Sequence, residues 1–252
     1  MVSWGIVQDR VAAVRAAGRD NGVPSPPAYA GHVNRAALLS TLGLALAACA
    51  AGGGGGGDAP TTDAASIRLA VVGDSLSAGF SRDFSAGDID GSSWVPYALG
   101  GGGGGDGDGD GVSFAGGTAV PGATAPQQLA RAEPVDADVL VLALGTNDLA
   151  WRLPFEETAG ALVDIAATVG APRVMLLAIP PIEPEISPTT PVYNRQLRRL
   201  AADRGWEFVD APAPVRDGDA WAPGATTDGV HYTLESARLV GATVGDAIRA
   251  GA

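Results

Sequence analysis

From residue 66 onward the chain alternates between two hydrophobic patterns. Short runs rich in Val, Leu and Ile occupy positions 67–72, 112–115, 139–144, 174–179 and 206–209, and most lack strict polar alternation. Such runs suit parallel strands buried on both faces. Between them lie predicted helices at 94–99, 125–132, 155–169 and 192–204, with a last one at 234–249. Repeated βα units predict an α/β fold, a three-layer α/β/α sandwich. In such sheets ligands bind beyond the carboxyl ends of the strands.

The region before this rhythm reads differently. Residues 36–48 form an apolar run that follows Arg35 and ends in small residues at Cys49, which is the layout of a secretory signal. The run is shorter than the roughly 20 apolar residues that a membrane span needs. Leu46-Ala47-Ala48-Cys49 resembles the lipobox of bacterial lipoproteins, in which the cysteine is diacylglycerylated and becomes the new N-terminus. The resemblance implies an extracytoplasmic protein attached to the membrane through Cys49. Six glycines, Gly52 to Gly57, and a polar stretch to Ser66 follow, a flexible tether in composition. The expected organisation is a signal region at 1–48, a lipid-anchored linker at 49–66 and one domain at 67–252. Residues 1–32 precede the signal, and two readings stay open for them. One is a misassigned start with Val33 as the true first codon; the other is a long n-region carrying Arg10, Arg15 and Arg19.

A domain of roughly 190 residues normally has one core. The whole chain has 16 basic and 28 acidic residues, a net charge of −12, and every basic residue is Arg. Residues 49–252 hold 12 Arg against 26 Asp and Glu, a balance that repels phosphate backbones and makes nucleic acid an unexpected partner. The single cysteine permits neither an intramolecular disulfide nor a multi-cysteine metal site. Of the two histidines, His32 lies in the signal region, so imidazole chemistry in the mature protein rests on His231. The tract GGGGGGDGDGDG at 100–111 has no repeating nonapeptide with an apolar stacking residue and no EF-hand spacing. It is expected to be a solvated surface loop.

Four clusters carry candidate chemistry. Ser75, in Gly73-Asp74-Ser75-Leu76, directly follows the first predicted strand. There a hydroxyl is exposed beside the unpaired backbone donors of a helix start, although Ser is also a common N-cap. Asp228 and His231, three apart just before the last helix, can supply a base and the group that fixes its tautomer. Gly122 and Asn147, the latter in Gly145-Thr146-Asn147-Asp148, both follow predicted strands. A glycine amide and an Asn side chain on that rim suit a developing oxyanion, and each taken alone is also ordinary turn chemistry.

These blocks, in this order and spacing, resemble the four blocks of the GDSL or SGNH hydrolases, over about residues 67–247. The resemblance implies a flavodoxin-like five-stranded parallel sheet of order 2-1-3-4-5. It also implies a serine esterase with Ser75 as nucleophile, His231 as base and Asp228 as its orienter. The oxyanion hole would come from the Ser75 amide, the Gly122 amide and the Asn147 side chain. No metal and no organic cofactor are implied, and the substrate class is a small-molecule, glycan or lipid ester. The departure from the family pattern is the Gly/Asp tract, which lengthens a loop before the second block. An α/β-hydrolase also runs Ser, acid, His along the chain, but its elbow is G-x-S-x-G and here Ser77 stands where the last glycine belongs. An acyltransferase with the same triad, or a silent envelope-binding domain of the same fold, remain as alternatives. Phe80, Trp94, Trp151 and Trp221 are candidates to line the site, and Arg152 to meet a carbonyl-bearing substrate.

Overall fold

Five parallel strands form one sheet in the computed structural model of the chain: β1 (Ile67–Gly73), β2 (Val112–Ala119), β3 (Val139–Ala143), β4 (Arg173–Leu177) and β5 (Glu207–Val209). Their order is β2-β1-β3-β4-β5, the order expected above. The structure describes residues 66–100, 111–182 and 189–251. Cys49, the apolar run before it, the glycine tether and positions 101–110 of the Gly/Asp tract lie outside the described residues.

The strands lack polar alternation because both faces are covered. Leu69, Val71, Val139, Val141, Met175 and Leu177 face one apolar layer, shared with Trp94, Val95 and Ala98 and with Val240, Val244 and Ile248. Those partners belong to α2 (Val95–Ala98) with its flanking Trp94, and to α7 (Leu234–Ala250). Ala70, Val72, Leu140, Leu142 and Leu176 face the other layer, against Leu162, Ile165, Leu197 and Ala201. These come from α5 (Phe155–Val169) and α6 (Thr190–Arg204). Burying such side chains stabilises by about 1.5–3 kcal/mol each before the entropy of ordering them is counted. Three layers are therefore the state in which neither strand face meets water.

Three short helices each begin at or just past the carboxyl end of a strand: α1 (Ser75–Ala78), α3 (Ala125–Leu129) and α4 (Thr146–Ala150). An antiparallel hairpin, β6 (Arg216–Asp217) and β7 (Ala220–Trp221), stands apart from the main sheet.

Several element bounds depart from the sequence reading by one to four residues, β4 among them, which ends at Leu177 and not 179. β2 runs to Ala119 and not 115, because Gly116 and Gly117 continue it with φ of 141° and 124°. A Cβ at Gly117 would lie 2.0 Å from the Val71 carbonyl oxygen, so β1 passes too close for any side chain there. The β1–β2 register shifts between Leu69 and Ala70, and glycines read locally as loop. α3 stops at Leu129 and not 132. α6 starts at Thr190 and not 192, with Pro191 in its first turn, where the missing N–H costs nothing.

Candidate active site

The sheet order sets which chain segments meet. β1 lies between β2 and β3, so the residues after these three strands share one rim. Ser75 follows β1 as the first residue of α1. Asp74 caps that helix: it is extended, with φ −114° and ψ −151°, and its Oδ1 accepts from the Leu76 amide at 3.0 Å. A carboxylate cap of this kind satisfies one orphan donor of the first turn. Gly122 follows β2 in a turn closed by the Ala123 amide on the Val120 carbonyl (3.1 Å). Asn147 follows β3 in α4, after Gly145, whose φ is 123°. A Cβ at Gly145 would come within 2.9 Å of the Tyr193 ring.

His231 reaches the same rim from the loop before α7. Its Nε2 lies 3.0 Å from Ser75 Oγ, and its Nδ1 lies 2.7 Å from Asp228 Oδ2. With Nδ1–H donating to Asp228, Nε2 is left as the acceptor for the Ser75 hydroxyl. Asp228 can reach the ring because the turn folds round its other oxygen. Oδ1 accepts the backbone amides of His231 (2.8 Å) and Val230 (3.0 Å), and Thr226 Oγ1 accepts the Gly229 amide at 2.9 Å. Trp221 on β7 braces the same turn through its Nε1–H on the Gly229 carbonyl (2.9 Å), and its ring packs edge-on against Tyr232.

The electrostatics differ sharply across the site. Burial pushes the Asp228 carboxyl up, but the His231 amide and ring and the Val230 amide outweigh it, so the group sits below the ordinary carboxylate range. The Asp228 and His231 side chains keep 43% and 42% of their surface, so this pair orients the ring more than it stabilises the fold. Asp74 is 1% exposed, and burial lifts its carboxyl to about 7, with the nearby Asp148 pushing the same way and the Leu76 amide and His231 opposing. Asp148 is also raised by burial. It accepts the Ala125 amide at both oxygens (3.1 Å each) and the Thr158 hydroxyl (2.9 Å), which accepts in turn from Tyr193 (3.1 Å). Asp148 thereby ties α4 to the start of α3.

Of the candidate residues, Ser75, His231 and Asp228 form one hydrogen-bonded chain. Asn147 stands beside it with its amide already engaged: Nδ2 donates to the Ala123 carbonyl at 3.0 Å and to Asp74 Oδ2 at 3.3 Å. Gly122 sits on the neighbouring turn and is exposed. Trp94 does not line the site; it is buried, with its Nε1–H on Ser77 Oγ (3.0 Å). Phe80 and Trp151 are exposed, and Arg152, after α4, takes a left-handed φ of 56°. The sequence reading assigned no role to Gln128, which is fully buried and donates to the Gly73 carbonyl at the end of β1. It also missed Thr226, although a Thr two before an Asp at a turn is a legible signal. A cleft of about 280 Å³, lined by Ile179, Asn194, Arg195, Arg198, Phe208 and Arg216 among others, opens at the β4–β5 end and includes none of the hydrogen-bonded trio. Among the described residues no three His, Cys, Asp or Glu side chains cluster to hold a metal ion.

No curated protein matches the chain, whereas solved structures do. A GDSL-like lipase from Bacteroides thetaiotaomicron is 22% identical, with 74% of this chain and 89% of that one covered at a TM-score of 0.54. A lipolytic G-D-S-L protein from Veillonella parvula is 16% identical, with 73% and 99% covered at 0.57. A catalytic mutant of an acetylxylan esterase from Geobacillus stearothermophilus is 15% identical, with 71% and 92% covered at 0.52. These likenesses establish a shared fold. The model of one family matches residues 71–239, a span that holds Ser75, Gly122, Asn147, Asp228 and His231, and the chain accordingly belongs to the GDSL-like Lipase/Acylhydrolase family.

Proposed function

We propose that the protein hydrolyses carboxylic esters through an acyl-serine intermediate, with Ser75, His231 and Asp228 as its triad. The observation that carries this reading is the unbroken hydrogen-bond chain from Ser75 Oγ through both ring nitrogens of His231 to Asp228. Ser75 Oγ attacks the ester carbonyl carbon as its proton passes to His231 Nε2, and Asp228 steadies the imidazolium. The tetrahedral oxyanion is received by the Ser75 and Gly122 amides and the Asn147 side chain. His231 then gives its proton to the departing alkoxide, the C–O bond breaks, and Ser75 is left acylated. Water, deprotonated by His231, returns the acid and free Ser75.

Family membership supports a hydrolase, and the lipase and acetylxylan esterase among the structural neighbours support an ester as its substrate. A fluorophosphonate probe should label the purified protein at Ser75, alongside turnover of short p-nitrophenyl esters. Labelling on another residue would remove Ser75 from the centre of the mechanism.

Leu46-Ala47-Ala48-Cys49 and the glycines behind it support lipidation of Cys49 and a place on the outer face of the membrane. Two acyl chains, at about 0.8 kcal/mol per buried CH₂, suffice for stable anchoring. Cys49→Ser should move the protein from the membrane fraction to the medium; unchanged retention would contradict the anchor.

A further inference from the structure

Among the described residues, Asp74 is the one fully buried carboxylate that touches both the turn carrying Ser75 and the side chain of Asn147. Its two oxygens face opposite ways in function. Oδ1 takes the Leu76 amide at 3.0 Å and fixes the turn that presents Ser75, while Oδ2 takes Asn147 Nδ2 at 3.3 Å from a residue 73 positions away. Only an ionised carboxylate can accept fully on both sides, the form that Asp74 takes above about pH 7. An Asn in its place offers one oxygen and one NH₂, so it must either abandon the Leu76 amide or set its own donors against those of Asn147.

The two bonds of Asn147 are unequal. The one to the Ala123 carbonyl is 3.0 Å long, well inside the usual range, and the one to Asp74 lies just beyond it. The longer bond is the one more readily exchanged. On the triad reading above, on which this inference rests, we propose that Asp74 is a positioning residue for the oxyanion donor: its Oδ2 keeps the Asn147 N–H turned into the site at rest and yields it to the substrate oxyanion. The Ala123 carbonyl stays bound and acts as the pivot. No covalent bond changes; one N–H exchanges one acceptor for another. The same carboxylate sets the nucleophile and the oxyanion donor in register across β1 and β3.

The test is a double-mutant cycle of Asp74 and Asn147 in the full-length protein, read as kcat and KM on a p-nitrophenyl ester. Asp74→Ser keeps a capping oxygen for the helix start and loses the contact to Asn147. It should lower kcat about 10- to 100-fold with KM within about twofold. In an Asn147→Ala background the same substitution should change kcat by less than about threefold, because the donor it positions is gone. Should Asp74→Ser melt below the assay temperature, Asp74→Thr, which also keeps one capping oxygen and loses the second acceptor, gives the same cycle. Equal losses in both backgrounds, or an unchanged kcat for Asp74→Ser, would overturn the proposal. Ser75→Ala serves as control: if it keeps turnover the triad reading itself fails, whereas additivity beside an inactive Ser75→Ala removes only the role of Asp74.

Discussion

Asp74 makes stability as well as geometry depend on its proton. Its carboxyl is raised to about 7 by burial, against roughly 3.9 for an aspartate in an unfolded chain. Between those values the folded protein holds a proton that the unfolded chain has released, so rising pH favours unfolding. The contribution is intact below about pH 4 and is lost as pH climbs through about 7. Asp74→Asn cannot ionise, so its stability relative to wild type should rise across this window in urea melts; Asp138, lowered by Arg68, titrates in both proteins and cancels, while Asp148, which repels the ionised Asp74, reinforces the difference. Parallel curves from pH 4 to 8 would contradict a proton held on Asp74. At this scale the site was half legible. Ser75, Asp228 and His231 are visible because a candidate nucleophile and a candidate base fall at a strand end and before a helix, and because the blocks resemble a family. The bond between Asp74 and Asn147 is not, since it exists only through the adjacency of β1 and β3. Nor does anything near Gln128 in sequence mark a buried amide that holds the Gly73 carbonyl.

The elements show the same division. β1, β3 and β4 were legible because strands covered on both faces leave continuous apolar runs. The second half of β2 was not, because Gly116 and Gly117 read locally as loop and are strand only through the close passage of β1. Gly117→Ala should therefore destabilise by more than about 2 kcal/mol, combining a positive φ with a Cβ set against the Val71 carbonyl. Chemical denaturation of that variant checks it; a loss below about 0.5 kcal/mol would mean that β1 and β2 can part locally without cost. α1 was legible only as a helix start at Ser75 and α4 only as turn chemistry around Asn147, yet they are the elements that carry these two residues. The Asx-type turn around Asp228 was equally invisible as a contact network. Its three-residue spacing to His231 was the trace it left.

Across the whole molecule, one sheet and two apolar layers gather the residues from four separated blocks onto one rim. The chain carries a net charge of −12, and its family domain holds a single imidazole, that of His231, on which the proposed triad depends. That dependence gives the account its most direct measurement: kcat for Ser75→Ala, His231→Ala and the double variant. Groups that act on one proton lose their effect together, so each single substitution should cost about 10⁴- to 10⁶-fold, and the pair no more than either alone. Additive losses would show that Ser75 and His231 do not share a proton, and a Ser75→Ala protein that still turns over esters would contradict the account at its centre.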